Sequence, residues 1–256
     1  MTPIKQSACW GCLMKGDVKP EEGIKAAAEI GFASIEMGPQ EYFGAIKDAG
    51  MDIAIFVGHK SLADGLNKRE NHERIYDELM ASLETAVEYN VPSLLCLSGN
   101  RYDGVSDLQG AEICAEILSR VAPAAEEKGI TLCTELLNSK VNHPGYMCDS
   151  TEWGVHLCKM VNSPRVKLLY DIYHMQIMEG DLIRTIRDNI QWFGHFHTAG
   201  NPGRNDMDET QEIYYPAVAR CIAELDYQGY VGHEFLTHRE TGIIGMREAF
   251  ATWNVV

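Results

Sequence analysis

The sequence alternates along its whole length between short apolar runs and longer amphipathic stretches. Eight runs have the length and the apolar, β-branched character of buried strands: QSACWGC, FASIEMG, DIAIFVG, SLLCLSG, TLCTELL, KLLYDIY, WFGHFHT and YVGHEFL. The stretches between them, such as HERIYDELMASLETAVEYN, repeat their apolar residues with helical spacing. Apolar strands that alternate with helices are typical of a parallel sheet covered by helices. Eight repeats favour closure of that sheet into an α/β (β/α)₈ barrel, the TIM barrel.

We expect one domain that covers residues 1–256. The chain has 256 residues and is 45% hydrophobic, which fits a single barrel of this type. The first strand is not followed by G-x-G-x-x-G, and G-x-x-x-x-G-K-[ST] does not occur. The sequence therefore lacks the motifs of dinucleotide-binding and P-loop domains.

The charge and the hydropathy of the chain limit its partners. A net charge of −15 repels phosphate backbones, so we expect no nucleic-acid partner. No run of apolar residues is long enough to cross a membrane, and the first residues, MTPIKQSACWGC, lack the pattern of a signal peptide. We therefore expect a cytoplasmic protein without a membrane partner, and the sequence leaves open whether it forms a homo-oligomer.

The eight cysteines are expected to be free thiols, because the chain is long and shows no secretion signal. Cys96, Cys133 and Cys221 lie in apolar or amphipathic segments, where a free cysteine behaves as a small hydrophobic residue. Cys9 and Cys12 form C-W-G-C, which has the spacing of a redox motif. We interpret this segment as a barrel strand that carries two thiols, and a redox role is left open.

Four of the apolar runs end in a residue that can bind a metal ion. These residues are Glu135, Asp171, His197 and Glu234. The carboxyl ends of parallel barrel strands meet at one face, so we expect the four side chains to converge there. Three carboxylates and one imidazole suit a single divalent cation, Mn²⁺ or Mg²⁺ in the first place, with Co²⁺ and Zn²⁺ as alternatives.

Two further strand ends carry polar residues. Glu36 ends the second run, and a glutamate at that position either forms an ion pair with a lysine or acts in the site. His59 follows the third run and is a candidate for substrate binding.

Two histidines near the proposed ligands are predicted to be structural. His195 precedes His197 by two residues and faces the same side of its strand, so it should lie deeper as a packed, hydrogen-bonded side chain. His233 neighbours Glu234 and should point to the opposite face.

A divalent cation with open positions could bind two adjacent oxygens of a hydroxy-ketone or a hydroxy-aldehyde. It would polarise the carbonyl group and lower the pKa of the neighbouring C–H. Two glutamates on opposite sides, Glu135 and Glu234, could then remove and return a proton. This chemistry is aldose–ketose isomerisation, or epimerisation, through an enediolate.

Several segments resemble the hydroxypyruvate isomerase family, which belongs to the xylose-isomerase-like superfamily of sugar isomerases and epimerases. The resemblance is carried by TELLNSKVNHPGYMCDS, YDIYHMQIMEGDLIRTIRDNI, GHFHTAGNPGR and EIYYPAVARCIAELDYQGYVGHEF. It implies a TIM barrel that acts on a small sugar or hydroxy-keto acid.

The resemblance also implies roles for individual residues. Glu135 and Glu234 would be the acid/base pair, and the metal ligands would be Glu135, Asp171, His197 and Glu234. His174 would contact substrate oxygens. Arg204, in N-P-G-R, matches a substrate-contacting arginine, and Glu212 matches a glutamate that can hold it.

Three other functions remain open from the sequence. A ketose or inosose 3-epimerase would use the same metal and the same glutamate pair. Metal-dependent phosphodiester cleavage would need more histidine ligands and a basic groove, which the acidic composition opposes. A carbohydrate-binding barrel without catalysis would be favoured by the loss of metal ligands, and all four are present.

Overall fold

The structure is a computed structural model that describes residues 2–255. Within these residues it contains nine strands: β1 (Lys5–Cys9), β2 (Ser34–Glu36), β3 (Asp52–Ile53), β4 (Ile55–Val57), β5 (Ser93–Cys96), β6 (Thr131–Leu136), β7 (Val166–Asp171), β8 (Phe193–Thr198) and β9 (Tyr230–His233). In the first of the two compact units of the chain the strand order is β3-β2-β1-β9-β8, and in the second unit it is β7-β6-β5. The eight predicted runs give nine strands because the third run is interrupted at Ala54.

Helices connect the strands, as the alternation predicts. The described residues contain ten α-helices: α1 (Trp10–Leu13), α2 (Pro20–Ile30), α3 (Phe43–Asp48), α4 (His72–Tyr89), α5 (Asp107–Lys128), α6 (Thr151–Val161), α7 (Ile172–Met178), α8 (Leu182–Asn189), α9 (Tyr215–Glu224) and α10 (Gly242–Trp253). Short 3₁₀ helices span Gln40–Tyr42, Arg69–Asn71 and Ile190–Trp192. Among residues 2–255, no helix combines the length and the apolarity that crossing a membrane requires.

The contacts between residues divide the chain into two compact units. The first unit comprises the residues up to Phe56, Asp181–Ile190 and the residues from His195 onward. In it β1 pairs in parallel with β2 and β9, β2 pairs with β3, and β8 pairs with β9. The side chains of Leu13, Phe235 and Trp253 are buried here.

The second unit comprises Val57–Gly180 and Gln191–Gly194. Here β6 pairs in parallel with β5 and with β7. Helix α5 begins with a capping box, in which Ser106 and Gln109 satisfy each other's backbone amides, and it ends at Gly129 in the left-handed conformation. The prediction of a single domain stays a prediction.

The first strand is shorter than predicted. Strand β1 ends at Cys9, and Cys12 lies in the one-turn helix α1, so the prediction that both thiols belong to a strand is wrong for Cys12. The chain turns there because one helical turn buries Leu13 completely. All eight cysteines are free thiols, as expected.

Candidate active site

Glu135 and Asp171 lie near the ends of two neighbouring strands of the second unit. Glu135 is in β6 and is buried, and Asp171 is the last residue of β7 and is inaccessible to solvent. Parallel pairing brings Glu135 opposite Leu169. Asp171 also begins helix α7, because its Oδ1 accepts a hydrogen bond of 3.1 Å from the His174 backbone amide. The two carboxylates are thus fixed by the strands and by a helix cap.

His174 is held in one tautomer by Asn138. Its Nδ1 accepts a hydrogen bond of 3.1 Å from the Asn138 backbone amide and lies 2.5 Å from Asn138 Nδ2. The Asn138 amide is oriented unambiguously, because its Oδ1 accepts from the backbone amides of Val141 and Asn142. A neutral His174 therefore carries its proton on Nε2, which lies 3.6 Å from Asp171 Oδ2. His174 is a hydrogen-bond donor on the side of Asp171.

His59 is buried after strand β4, and its Nε2 accepts a hydrogen bond of 2.9 Å from the backbone amide of Leu97. Burial lowers the pKa of His59 to about 4, so the imidazole is neutral at pH 7. Its Nδ1 then carries the proton and is the only ring nitrogen that could donate to a substrate. The substrate-binding role of His59 stays a prediction.

In the first unit, His197 and Arg204 both contact Glu234. His197 Nδ1 lies 3.2 Å from Glu234 Oε2, and Arg204 Nη2 donates to the same oxygen over 2.6 Å. The Arg204 side chain is only 20% exposed, so it is not a solvated surface arginine. Glu212 accepts a hydrogen bond from Asn201 Nδ2. The substrate contacts of Arg204, and its support by Glu212, stay predictions.

Glu36 is completely buried and lies against two histidines rather than a lysine. Its Oε2 is 3.1 Å from His195 Nε2, and its Oε1 is 2.9 Å from His197 Nε2. Burial alone would raise the pKa of Glu36, but the two imidazoles hold it well below its ordinary value. The lysine alternative for Glu36 is therefore wrong, and the prediction of a deep, packed His195 is confirmed.

His233 points away from these residues, as predicted. Its Nδ1 lies 2.9 Å from Thr198 Oγ1, and its Nε2 lies 2.9 Å from Gln6 Oε1. The Phe32 and Trp253 rings pack against it. Burial lowers its pKa to about 3, which is the behaviour of a structural, neutral histidine.

The residues predicted as metal ligands lie in two pairs, Glu135 and Asp171 in the second unit and His197 and Glu234 in the first. In the first unit, Glu36, His195 and His197 each offer a ligand atom within 4.8 Å of the others. The chain thus contains groups of side chains that could hold a divalent cation.

The histidine partners of Glu36 and the role of Asn138 were not recognised from the sequence. Glu36 ends a strand, and the HFH pattern of β8 presents two imidazoles on one face, but nothing in the sequence joins them. Asn138 follows Glu135 by three residues, in the loop after β6, where its side-chain oxygen accepts from the backbone amides of Val141 and Asn142. That spacing is a signal that could have identified it.

Known proteins support the fold and place the chain in a family. The profile of the xylose isomerase-like TIM barrel family matches residues 24–252. A putative hydroxypyruvate isomerase of Danio rerio is 27% identical, over 99% of this chain and 98% of that protein. A 2-oxo-tetronate isomerase of Pectobacterium atrosepticum is 28% identical, over 86% of this chain and 87% of that protein.

A solved structure agrees with these relatives. The crystal structure of an AP endonuclease of family 2 from Brucella melitensis superposes with a TM-score of 0.85 and 26% identity, over 99% of this chain and 100% of that one. The prediction of a (β/α)₈ barrel is thereby confirmed. The chain belongs to the xylose isomerase-like TIM barrel family, and it is an enzyme of the isomerase class.

Proposed function

We propose that this enzyme is a metal-dependent isomerase that interconverts a small hydroxy-ketone and a hydroxy-aldehyde, with a hydroxy-keto acid as the substrate class. The observation that carries the proposal is the pair of buried carboxylates at the ends of two paired strands, Glu135 in β6 and Asp171 in β7. We expect His197 and Glu234, which lie close together in the first unit, to complete the ligand set. The isomerase names of the relatives from Danio rerio and Pectobacterium atrosepticum support the reaction type.

The residues fit a divalent metal ion by their chemistry. Three of the four donors are carboxylates and one is an imidazole, which suits Mn²⁺ or Mg²⁺, with Co²⁺ and Zn²⁺ as alternatives. Buried carboxylates of like charge repel one another, and a cation at their centre removes that cost. When bound, the metal ion would polarise the substrate carbonyl and favour negative charge on the adjacent oxygens.

The proton is moved by the chain's own glutamates. One of Glu135 and Glu234 takes the proton from the carbon next to the carbonyl group, which gives an enediolate. A proton is then returned to the neighbouring carbon, where the carbonyl had been. The hydroxyl proton moves from the first oxygen to the second, so that the carbonyl and hydroxyl groups exchange places. Transfer to a carboxylate within hydrogen-bonding reach is general base catalysis, which contributes about 10²–10⁴-fold in rate.

Other residues orient the substrate. His174 is a donor through Nε2 in its neutral form, so it can hold a substrate oxygen while Asn138 fixes its ring. Arg204 lies on Glu234 Oε2 and would bind the carboxylate of an acidic substrate through its planar fork of N–H groups. Glu212 would support Arg204, and His59 would donate to the substrate through Nδ1.

The metal site is tested by calorimetry with Mn²⁺. Asp171→Asn removes one charged ligand with little change in volume, and we expect Mn²⁺ to bind at least tenfold more weakly. Asp103→Asn is the matched control, because Asp103 is exposed in a loop, and it should bind as the wild type does. Equal affinity of Asp171→Asn and the wild type would refute the assignment.

The reaction is tested with small keto acids, hydroxy acids and free ketoses in the presence of Mn²⁺. In deuterated water, proton transfer should place deuterium on the product carbon, whereas a hydride shift should not. Glu135→Gln and Glu234→Gln should each lose most activity, and full activity in either variant would remove that glutamate from the pair. Inversion at one carbon of a ketose without isomerisation would replace the isomerase by an epimerase that uses the same residues.

A further inference from the structure

Glu36 lies two strands away from the histidines that it contacts. In the sheet, β2 and β8 are separated by β1 and β9, so the Glu36 side chain must pass inside both strands to reach His197. In the register Glu36 pairs with Cys9. Two residues earlier, Ser7 pairs with Ser34 on one side and with Gly232 on the other, and Gly232 pairs with His197, so the row between β2 and His197 contains only small residues.

Gly232 makes room for the carboxylate. A Cβ atom at this position would overlap Glu36 Oε1, so any residue larger than glycine would have to displace the carboxylate. Its φ is not positive, so the requirement for glycine here comes from the neighbouring carboxylate and not from backbone conformation. The small residues of β1 and β9, which lie between β2 and β8, therefore leave the space that the contact between Glu36 and β8 requires.

The carboxylate divides its two oxygens between two imidazoles. Oε2 lies 3.1 Å from His195 Nε2, and Oε1 lies 2.9 Å from His197 Nε2. Both distances are in the hydrogen-bonding range, and an ionised carboxylate can only accept. Neither oxygen has another hydrogen-bond partner among the described residues, so only protons on the two Nε2 atoms could satisfy this buried carboxylate.

This arrangement decides which nitrogen of His197 faces Glu234. We propose that Glu36 is a positioning residue, which accepts the Nε2 proton of His197 and so leaves Nδ1 unprotonated as the metal-ligating atom. His197 Nδ1 lies 3.2 Å from Glu234 Oε2, the other proposed ligand of the first unit. The inference rests on the proposed metal site. A carboxylate behind a ligating histidine fixes the ring, and its loss typically weakens metal binding or activity by about 10–100-fold.

The tautomer of His197 is measured directly in the wild-type protein without metal. Long-range ¹H–¹⁵N correlation of protein labelled at histidine nitrogen distinguishes a protonated from an unprotonated ring nitrogen, and the His197→Asn variant assigns the signals. We expect a neutral His197 with its proton on Nε2. A proton on Nδ1 alone would overturn the proposal, and this readout needs neither metal nor activity.

The variant Glu36→Gln offers one carbonyl oxygen and one amide group, so it cannot accept from both imidazoles. We expect a change in the ring-nitrogen signals of His195 or His197, and a Kd for Mn²⁺ that rises by about 10–100-fold. Gly232→Ala displaces the carboxylate instead of replacing it, and it should have the same effects if Glu36→Gln does not fold. Unchanged signals together with a Kd within twofold of the wild type would contradict the role.

Ser34→Ala is the matched control, because Ser34 is buried on β2 two residues before Glu36. It should keep the wild-type tautomer and Kd. Two Mn²⁺ ions per chain, with one lost in Glu36→Gln, would make Glu36 a ligand and overturn the positioning role. A wild-type protein that binds no Mn²⁺ would refute the proposed function, and the His197 tautomer would still decide whether Glu36 orients the ring.

Discussion

Acid should destabilise this protein through His59, whose buried imidazole accepts a hydrogen bond from a backbone amide. Its Nε2 accepts from Leu97 over 2.9 Å, so protonation at that nitrogen would place two donors face to face. Burial is the main cause that lowers the pKa of His59 to about 4, Glu78 raises it and Arg74 lowers it further. The folded state therefore binds this proton more weakly than the unfolded chain does.

The sign and the size follow from the two pKa values. The unfolded histidine has a pKa of about 6.5, against about 4 in the folded protein, so the stabilisation is present above pH 6.5 and is lost as the pH falls towards 4. The complete effect, at about 1.36 kcal/mol for each pKa unit, is about 3.4 kcal/mol. At pH 5 about 2 kcal/mol should already be lost.

Urea unfolding at pH 7 and pH 5, in a chelating buffer, measures this loss. His59→Gln keeps a carbonyl acceptor but cannot titrate, so its unfolding free energy should fall by about 2 kcal/mol less than that of the wild type between these pH values. His156→Gln replaces an exposed histidine and should keep the wild-type pH dependence. If the wild type and His59→Gln lose the same free energy, the buried neutral state of His59 is not a source of acid sensitivity.

Three further substitutions test other contacts of the second unit. Ser106→Ala removes the cap of helix α5, and urea unfolding should show a loss of about 1 kcal/mol; an unchanged midpoint would mean that the capping box contributes nothing. Asn138→Ala removes the side-chain contact with His174 Nδ1 and so releases the ring. The value of kcat/KM on the best substrate should then fall about tenfold, as expected for a lost hydrogen bond. The Mn²⁺ affinity, measured by calorimetry, should stay near the wild-type value. Arg101→Gln breaks the ion pairs with Asp149 and Asp107, and thermal denaturation should report a loss of about 2 kcal/mol; a Tm equal to that of the wild type would contradict this.

The sequence predicted the strands well where an apolar run ends in a polar residue. Asp171 ends β7 as the pattern indicated, and β8 ends at Thr198, one residue beyond His197. The third run was not resolved into β3 and β4, because Ile53, Ala54 and Ile55 are all fully buried and no polar residue marks the interruption. Where a strand stops pairing depends on its neighbours in the sheet, and a continuous apolar run carries no record of that.

The candidate site was predicted only in part, because the sequence reveals local positions but not contacts between distant segments. The position at a strand end is local, so Glu135 and Asp171 could be identified from the sequence. The environment of Glu36 is not local, because its histidine partners are far along the chain and Gly232 must leave the space between them. The contact of Arg204 with Glu234 depends on a loop in which Arg204 itself has a φ of 58°, which residue spacing does not reveal.

Tyr146 links the loop after β6 to the ends of two strands. Its substitution tests whether the stability of the fold can be lowered without weakening metal binding. Its completely buried hydroxyl accepts from the Ser98 backbone amide and donates to the Glu135 carbonyl, both over 3.0 Å. Tyr146→Phe keeps the ring but leaves the buried Ser98 amide without this acceptor, which costs about 1–3 kcal/mol. The carboxylate of Glu135 should keep its place, because β6 is paired with strands on both sides.

We therefore expect Tyr146→Phe to unfold at lower urea concentration while its Kd for Mn²⁺ stays within tenfold of the wild type. Leu108→Ala, at an exposed position of helix α5, is the control for stability and should change little. A variant that keeps full stability would show that water replaces the hydroxyl. A large loss of Mn²⁺ affinity without a loss of stability would mean that Tyr146, and not the pairing of β6, sets the position of Glu135.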